Sequence, residues 1–195
     1  MLKIVRVMIV AAIMGCFVSP ASAQEKPVYL IKTNQGDIKV ETFSKEAPIS
    51  AKNFDDYVKS GFYDGTIFHR VIPDFMIQCG GFSPDMKEKA NKAAPIKNES
   101  SNGLQNKKYT LSMARTNVAD SATSQFYINV ADNAFLDKAN SRDNVGYAVF
   151  GRIVEGQDVV DKIAQVKTGN KGGHGDVPNE PIVIESVTKI EAEKK

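Results

Sequence analysis

Arg70 is the residue whose surroundings most suggest chemistry. It lies in the run Phe62-Tyr-Asp-Gly-Thr-Ile-Phe-His-Arg-Val-Ile-Pro-Asp-Phe-Met-Ile-Gln-Cys-Gly-Gly81. A guanidinium keeps its proton at ordinary pH and presents its donors in a fixed planar fork. On a strand from Thr66 to Val71, alternation sets Phe68 and Arg70 on one face and Ile67, His69 and Val71 on the other. With the second set inside, Arg70 projects outward near the following turn, and Phe75 and Met76 stand beside it as a bulky apolar patch. That is either a built site or an ordinary surface arginine next to two core residues, and this segment alone does not choose between them.

Other chemical groupings are weaker. Ser121 or Ser124 with His69 could form a hydrolytic pair, but no Gly-x-Ser-x-Gly elbow frames either serine. Asp55 and Asp56 are adjacent on a helix and diverge, which makes a poor acid–base pair. The glycine-rich stretch Gly169 to Gly175 could suggest a phosphate loop, yet it lacks the Gly-Lys-Ser/Thr order and reads as a flexible turn. His69, His174 and Cys79 are too scattered for a zinc pattern.

The elements that must position these residues read mostly as strands. Val28–Thr33 and Asp37–Phe43 flank Asn34-Gln35-Gly36, a hairpin signal. Helical spacing of Ala51, Phe54, Tyr57 and Val58 predicts a helix from Pro48 to Ser60, with Pro suited to its first turn and Gly61 to its stop. Further strands are predicted at Thr66–Val71, Phe75–Cys79, Thr110–Ala114, Gln125–Asn129, Tyr147–Arg152 and Pro181–Ile190, with a second helix over Gly156–Val166. The fold class expected is mainly β: a closed eight-stranded antiparallel barrel, capped by two α-helices, because strict strand–helix alternation is missing. Ser83 to Lys108 is polar and reads as a long surface excursion of the kind that often carries function. Glu191 to Lys195 reads as a solvated tail.

The first residues read as a leader. Lys3 and Arg6 precede an uncharged apolar run from Val7 to Val18, Ser19-Pro20 breaks it, and Ala21-Ser22-Ala23 supplies the small-x-small cleavage pattern. The run falls short of the ~20 residues needed to cross a bilayer as a helix. Residues 1–23 are therefore expected to be a signal peptide and 24–195 a single domain. Of 195 residues, 25 are basic and 23 acidic, so loss of Lys3 and Arg6 leaves the two signs equal. A neutral chain has nothing to steer it to nucleic acid or an anionic membrane, and a monomer is expected. Cys79 alone remains after cleavage, which excludes an internal disulfide.

Three blocks in order resemble the cyclophilin family of peptidyl-prolyl cis–trans isomerases. They are the Phe62–Gly81 run; Leu111-Ser-Met-Ala-Arg-Thr116 with Asp120-Ser-Ala-Thr-Ser-Gln-Phe-Tyr-Ile-Asn129; and Phe135-Leu-Asp137 with Tyr147-Ala-Val-Phe-Gly151. The resemblance spans residues 27–190, and its wording is similar to the periplasmic members of Gram-negative bacteria. It implies a periplasmic isomerase that needs no cofactor or metal and assists the folding of exported proteins. The partners implied are proline-containing unfolded or flexible polypeptides. A module that binds such chains without turnover is the other reading.

Residue by residue, the resemblance implies a catalytic role for Arg70. It implies a proline-ring pocket of Phe75, Met76, Tyr127 and Leu136. Gln78 would bond the substrate backbone, with Gln125 lining the same groove, and the peptide would lie along Ala114 and the main chain of Arg115. Phe135 and Tyr147 would form the rim, and His69 would be a satisfied core histidine beneath. Tyr127 stands where Phe is usual, which sets a hydroxyl at the pocket floor and is expected to alter proline fit or rate. Alternation turns Gln125 and Tyr127 to one face, so that Tyr127 rather than Phe126 meets substrate. Phe135 replaces the usual Trp, which weakens the case for tight cyclosporin binding. Tyr147 replaces a rim histidine and removes that source of pH dependence.

Overall fold

The computed structural model describes residues 26–90 and 92–190. The expected leader and the solvated tail lie outside the described residues. The chain opens with the predicted hairpin, β1 (Val28–Thr33) and β2 (Gly36–Thr42), followed by α1 (Pro48–Lys59). The short strands β3 (Arg70–Ile72) and β4 (Met76–Cys79) come next, then β5 (Thr110–Met113), β6 (Phe126–Asn129) and a 3-10 turn at Ala134–Leu136. β7 (Val149–Glu155) leads into α2 (Gln157–Ala164), a small hairpin of β8 (Thr168–Lys171) and β9 (His174–Pro178), and the last strand β10 (Ile184–Ile190).

Eight strands form one antiparallel sheet in the order β10-β1-β2-β7-β5-β6-β4-β3. β3 and β10, its two edges, do not pair along a ladder. They are joined through the segment before β3: Phe68 N–H donates to Ile182 O at 2.9 Å, and Thr66 O accepts from Ile184 N–H at 2.8 Å. The barrel is thus stapled shut by a few backbone bonds instead of closed by an eighth seam.

Inward side chains fill the barrel. Phe54 of α1 is fully buried, with its ring centroid 5.1 Å from that of Tyr29, 5.4 Å from those of Tyr63 and Phe126, and 5.6 Å from that of Phe150. Edge-to-face packing of this kind adds to the area term. Cys79 is buried in the same core, and burial pushes its thiol pKa well up. Val160 and Ile163 of α2 belong to the same core. Gly156 begins α2 at a φ of 88°, where a Cβ would stand 2.4 Å from the Asp37 carbonyl oxygen, so this entry to the helix requires glycine.

Three expectations about the chain's course need correction. The predicted strand Thr66–Val71 pairs as β3 only from Arg70, and strict alternation fails within it: Phe68 and Val71 both enter the main core, while Ile67 packs in a separate cluster with Met86 and Val177. The cause is a change of partner, since the segment bonds to residues 82 and 182 before it turns to Gln78. Gly169–Gly175 is an ordered hairpin, not a flexible turn, with Gly172 and Gly173 at positive φ and β9 lying against β3. The excursion 83–108 has no strand or helix among its described residues but is woven into the body of the protein. Ile96 packs on the core, and the Glu99 carboxylate accepts from Ile49 N–H at 3.0 Å and Ser50 N–H at 2.7 Å. It thereby caps α1, whose own N-cap residue, Ala47, has no side-chain acceptor.

His69 is buried beside Phe82, with 4.7 Å between ring centroids, and its Nδ1 has no partner among the described residues, so it is not the satisfied histidine expected. Burial pushes its pKa down from the ordinary 6.5 to about 4. The unfolded chain then binds a proton that the folded chain refuses. This component of stability is complete above pH 6.5 and is lost as the pH falls toward 4, to a total on the order of 3 kcal/mol. Denaturant titrations across that range should show the decline in the parent protein and a shallower one in His69→Gln. In the same assay at neutral pH, Phe54→Ala should cost about 3–5 kcal/mol through the cavity it leaves.

Candidate active site

The site is built on the outer face of the sheet. In β3, β4 and β6 the residues Val71, Ile77, Cys79, Phe126 and Ile128 point into the core, so their neighbours must point out. Register lines these up: Arg70 pairs with Gln78, Gln78 with Tyr127, and Tyr127 with Ser112 of β5. One row of side chains therefore crosses four strands. The next outward row joins Ile72, Met76 and Asn129. Phe126 faces inward and Tyr127 outward, as alternation requires.

A cavity of about 110 Å³ sits on these rows. Met76 and Tyr127 form its base, and Phe75 is brought to its edge by the tight β3–β4 turn, where Asp74 takes a φ of 58°. Leu136 comes from the 3-10 turn, and Tyr147 N–H donates to the Leu136 carbonyl at 3.0 Å, which ties the rim together. Arg70, Gln78, Ala114 and Arg115 complete the lining. The structure thus brings nine of the eleven expected site residues around one apolar notch with a cation at its mouth.

The remaining two lie just outside. Phe135 is 57% exposed, and its ring centroid lies 5.6 Å from that of Phe75. Gln125 accepts a 2.8 Å hydrogen bond from Gln78 Nε2, so the two amides hold each other in place. Gln125 lines a broader neighbouring groove of about 610 Å³ that shares Arg70 and Gln78 with the cavity. His174 and Asp176 of β9 also line that groove; the sequence weighs His174 only as a metal ligand and gives Asp176 no role, because the glycines of 169–175 hide the strand that carries both.

The two arginines differ in freedom. Arg70 is half-exposed, and its Nε lies 3.8 Å from Asp176 Oδ2, a long and solvated contact of little energetic weight. Arg115 is committed: only 2% of its side chain is exposed, Nε donates to the Gly146 carbonyl at 3.0 Å, and its guanidinium pairs with Asp143 and stacks 4.4 Å from the Tyr147 ring. That pairing holds the Asp143 carboxyl below the usual carboxylate range. Arg115 can offer a ligand its main chain, whereas Arg70 can offer its side chain.

The Tyr127 hydroxyl does not enter the cavity; it turns into the protein and donates to Asn106 Oδ1 at 3.0 Å. The hydrolytic pair is also absent. Ser124 Oγ is buried without a partner among the described residues, and Ser121 Oγ donates to the Val118 carbonyl.

Comparison with known proteins agrees with this geometry. The family profile described as cyclophilin type peptidyl-prolyl cis-trans isomerase/CLD matches residues 28–189. A peptidyl-prolyl cis-trans isomerase of Acinetobacter baylyi is 58% identical over 178 residues, covering 91% of this chain and 93% of the relative. Peptidyl-prolyl cis-trans isomerase B of Escherichia coli is 58% identical over 160 residues, covering 82% and 97%. Among solved structures, a cyclophilin type peptidyl-prolyl cis-trans isomerase of Cryptosporidium parvum superposes with a TM-score of 0.70 at 25% identity, covering 86% of this chain and 99% of its own. With the barrel, the outward row and the cation-edged notch already in view, these matches establish that the chain belongs to the cyclophilin-type peptidyl-prolyl cis-trans isomerases.

Proposed function

We propose that the notch receives the ring of a substrate proline and that Arg70 promotes rotation about the bond preceding it. The observation that carries this reading is the Arg70 guanidinium, half-exposed and held only by a long contact to Asp176 among the described residues, at the edge of the cavity formed by Phe75, Met76, Tyr127, Leu136 and Tyr147. The bond resists rotation because resonance gives it double-bond character, with a barrier of ~18–20 kcal/mol. In the twisted state that resonance is lost, and the proline nitrogen regains a lone pair able to accept a hydrogen bond. Arg70 can donate to that lone pair, which the planar ground state scarcely offers, so the contact favours the transition state selectively. Lowering the barrier by ~7 kcal/mol would give about a 10⁵-fold acceleration.

The other residues fix what must not move. The apolar notch clamps the ring while the preceding carbonyl swings. Gln78, immobilised by Gln125, presents its amide to the peptide backbone, and Ala114 with the main chain of Arg115 supports the extended chain. Phe135 and Tyr147 bound the entrance. The steps so described use no nucleophile. A further solved structure of the Cryptosporidium parvum isomerase, obtained in the presence of the dipeptide Ala-Pro, supports a proline-containing ligand for this architecture. The clients proposed are unfolded or flexible polypeptides exported from the cytoplasm, since residues 1–23 carry the features of a cleavable leader, and the working form proposed is a periplasmic monomer.

NMR exchange on an Ala-Pro peptide tests the role of Arg70. Arg70→Ala should lower kcat/KM by about 10²–10³-fold with unchanged thermal stability, because its one ion pair is long and solvated; intact catalysis would remove the role. Cell fractionation with N-terminal sequencing tests the export reading. The expected product is a periplasmic chain beginning at Gln24, and a cytoplasmic chain retaining Met1 would refute it.

A further inference from the structure

Beneath the cavity floor lies a buried polar cluster that the steps above do not use. Its centre is Asn106, at the end of the 83–108 excursion and 1% exposed. Its Oδ1 accepts from the Tyr127 hydroxyl at 3.0 Å, from Ser112 Oγ at 2.8 Å and, more weakly, from Asn129 Nδ2 at 3.4 Å. Its Nδ2 donates to Asp137 Oδ1 at 2.9 Å and weakly to the Tyr147 carbonyl at 3.4 Å, while its backbone N–H donates to the same Asp137 Oδ1 at 2.7 Å. Asp137 closes the 3-10 turn that carries Leu136. At the other end of that turn, Asn133 Nδ2 donates to the Phe75 carbonyl at 2.8 Å and to Asn129 Oδ1 at 2.7 Å.

We propose that Asn106 is a positioning residue that sets the separation of the cavity floor from its rim, acting through Tyr127 on one side and Asp137 on the other. The proposal rests on the reading of this cavity as the proline site. A buried phenol hydroxyl without a partner is costly, so Tyr127 deprived of Asn106 would be drawn toward water, and its side chain already lines the cavity. A carboxamide suits the position because it accepts from hydroxyls on one side and donates to a carboxylate and a carbonyl on the other. A lone Asp at 106 would set two carboxylates against each other. Exchanging the two residues, N106D with D137N, restores a donor–acceptor pair of reversed polarity.

The test compares the parent, Asn106→Ala, Tyr127→Phe, their combination, N106D, and N106D with D137N, in NMR exchange on an Ala-Pro peptide. Asn106→Ala should lower kcat/KM about tenfold, mostly through KM, because the notch grips the ring in planar and twisted states alike. Adding Tyr127→Phe to Asn106→Ala should recover kcat/KM by about threefold or more, since the second change removes the hydroxyl that the first strands. The exchanged pair should recover kcat/KM to within about threefold of the parent, whereas N106D alone should not. Additive losses, a folded Asn106→Ala variant with parental KM, or an exchanged pair no better than N106D would overturn the proposal. Should Asn106→Ala fail to fold, the comparison of N106D with the exchanged pair decides it. A parent that binds the peptide without catalysis would instead defeat the isomerase reading. Peptide dissociation constants across the same variants then decide the present proposal, with the same pattern supporting it and a flat series overturning it.

Discussion

Successive side chains on a β-strand point to opposite faces, and antiparallel register aligns those faces across neighbouring strands. In β3, β4, β6 and β5 this constraint sends one set inward to the aromatic core around Phe54 and holds the other outward as the row Arg70, Gln78, Tyr127 and Ser112. Core and site are the two sides of the same ladder. A register slip of one residue would exchange them, turning Arg70 inward and leaving Val71 on the surface. The packing that holds the strands in register therefore also fixes the geometry of the active row.

Much of this was legible in the sequence because it is written in local patterns. The β1–β2 hairpin, both helices and the outward direction of Tyr127 follow from periodicity and turn residues, and the three family blocks carried the site residues. What was not legible depends on contacts between distant segments. The alternation argument sent Arg70 outward correctly but misassigned Phe68, because the strand exchanges partners between residues 68 and 69, an event without a local signature. The glycines at 172 and 173 signalled a turn, but nothing nearby signalled that the flanking residues would pair and lie against β3, bringing Asp176 to Arg70.

Asn106 is the clearest instance of a functional residue hidden from sequence reasoning. In a polar run rich in Lys, Asn and Glu it has the composition of a solvated loop, and its burial is decided by Tyr127, Ser112 and Asp137. A tyrosine at a position expected to face the ligand is the one available hint, since a buried hydroxyl must find a partner somewhere. The sequence does not say which residue supplies it.

The capping of α1 by Glu99 has a consequence for how this chain can vary in length. A helix start served by a carboxylate about fifty positions downstream makes the stretch from Ile96 to Asn106 a fixed strut, anchored at one end to the helix and at the other under the notch. Residues added or deleted between Glu99 and Asn106 would change the spacing of the two anchors. The portion before it bears neither anchor and is held separately, by Met86 in the cluster with Ile67 and Val177 and by Lys89, whose ammonium donates to the Phe62 and Asp64 carbonyls, so a change of length there would leave the spacing of the strut intact.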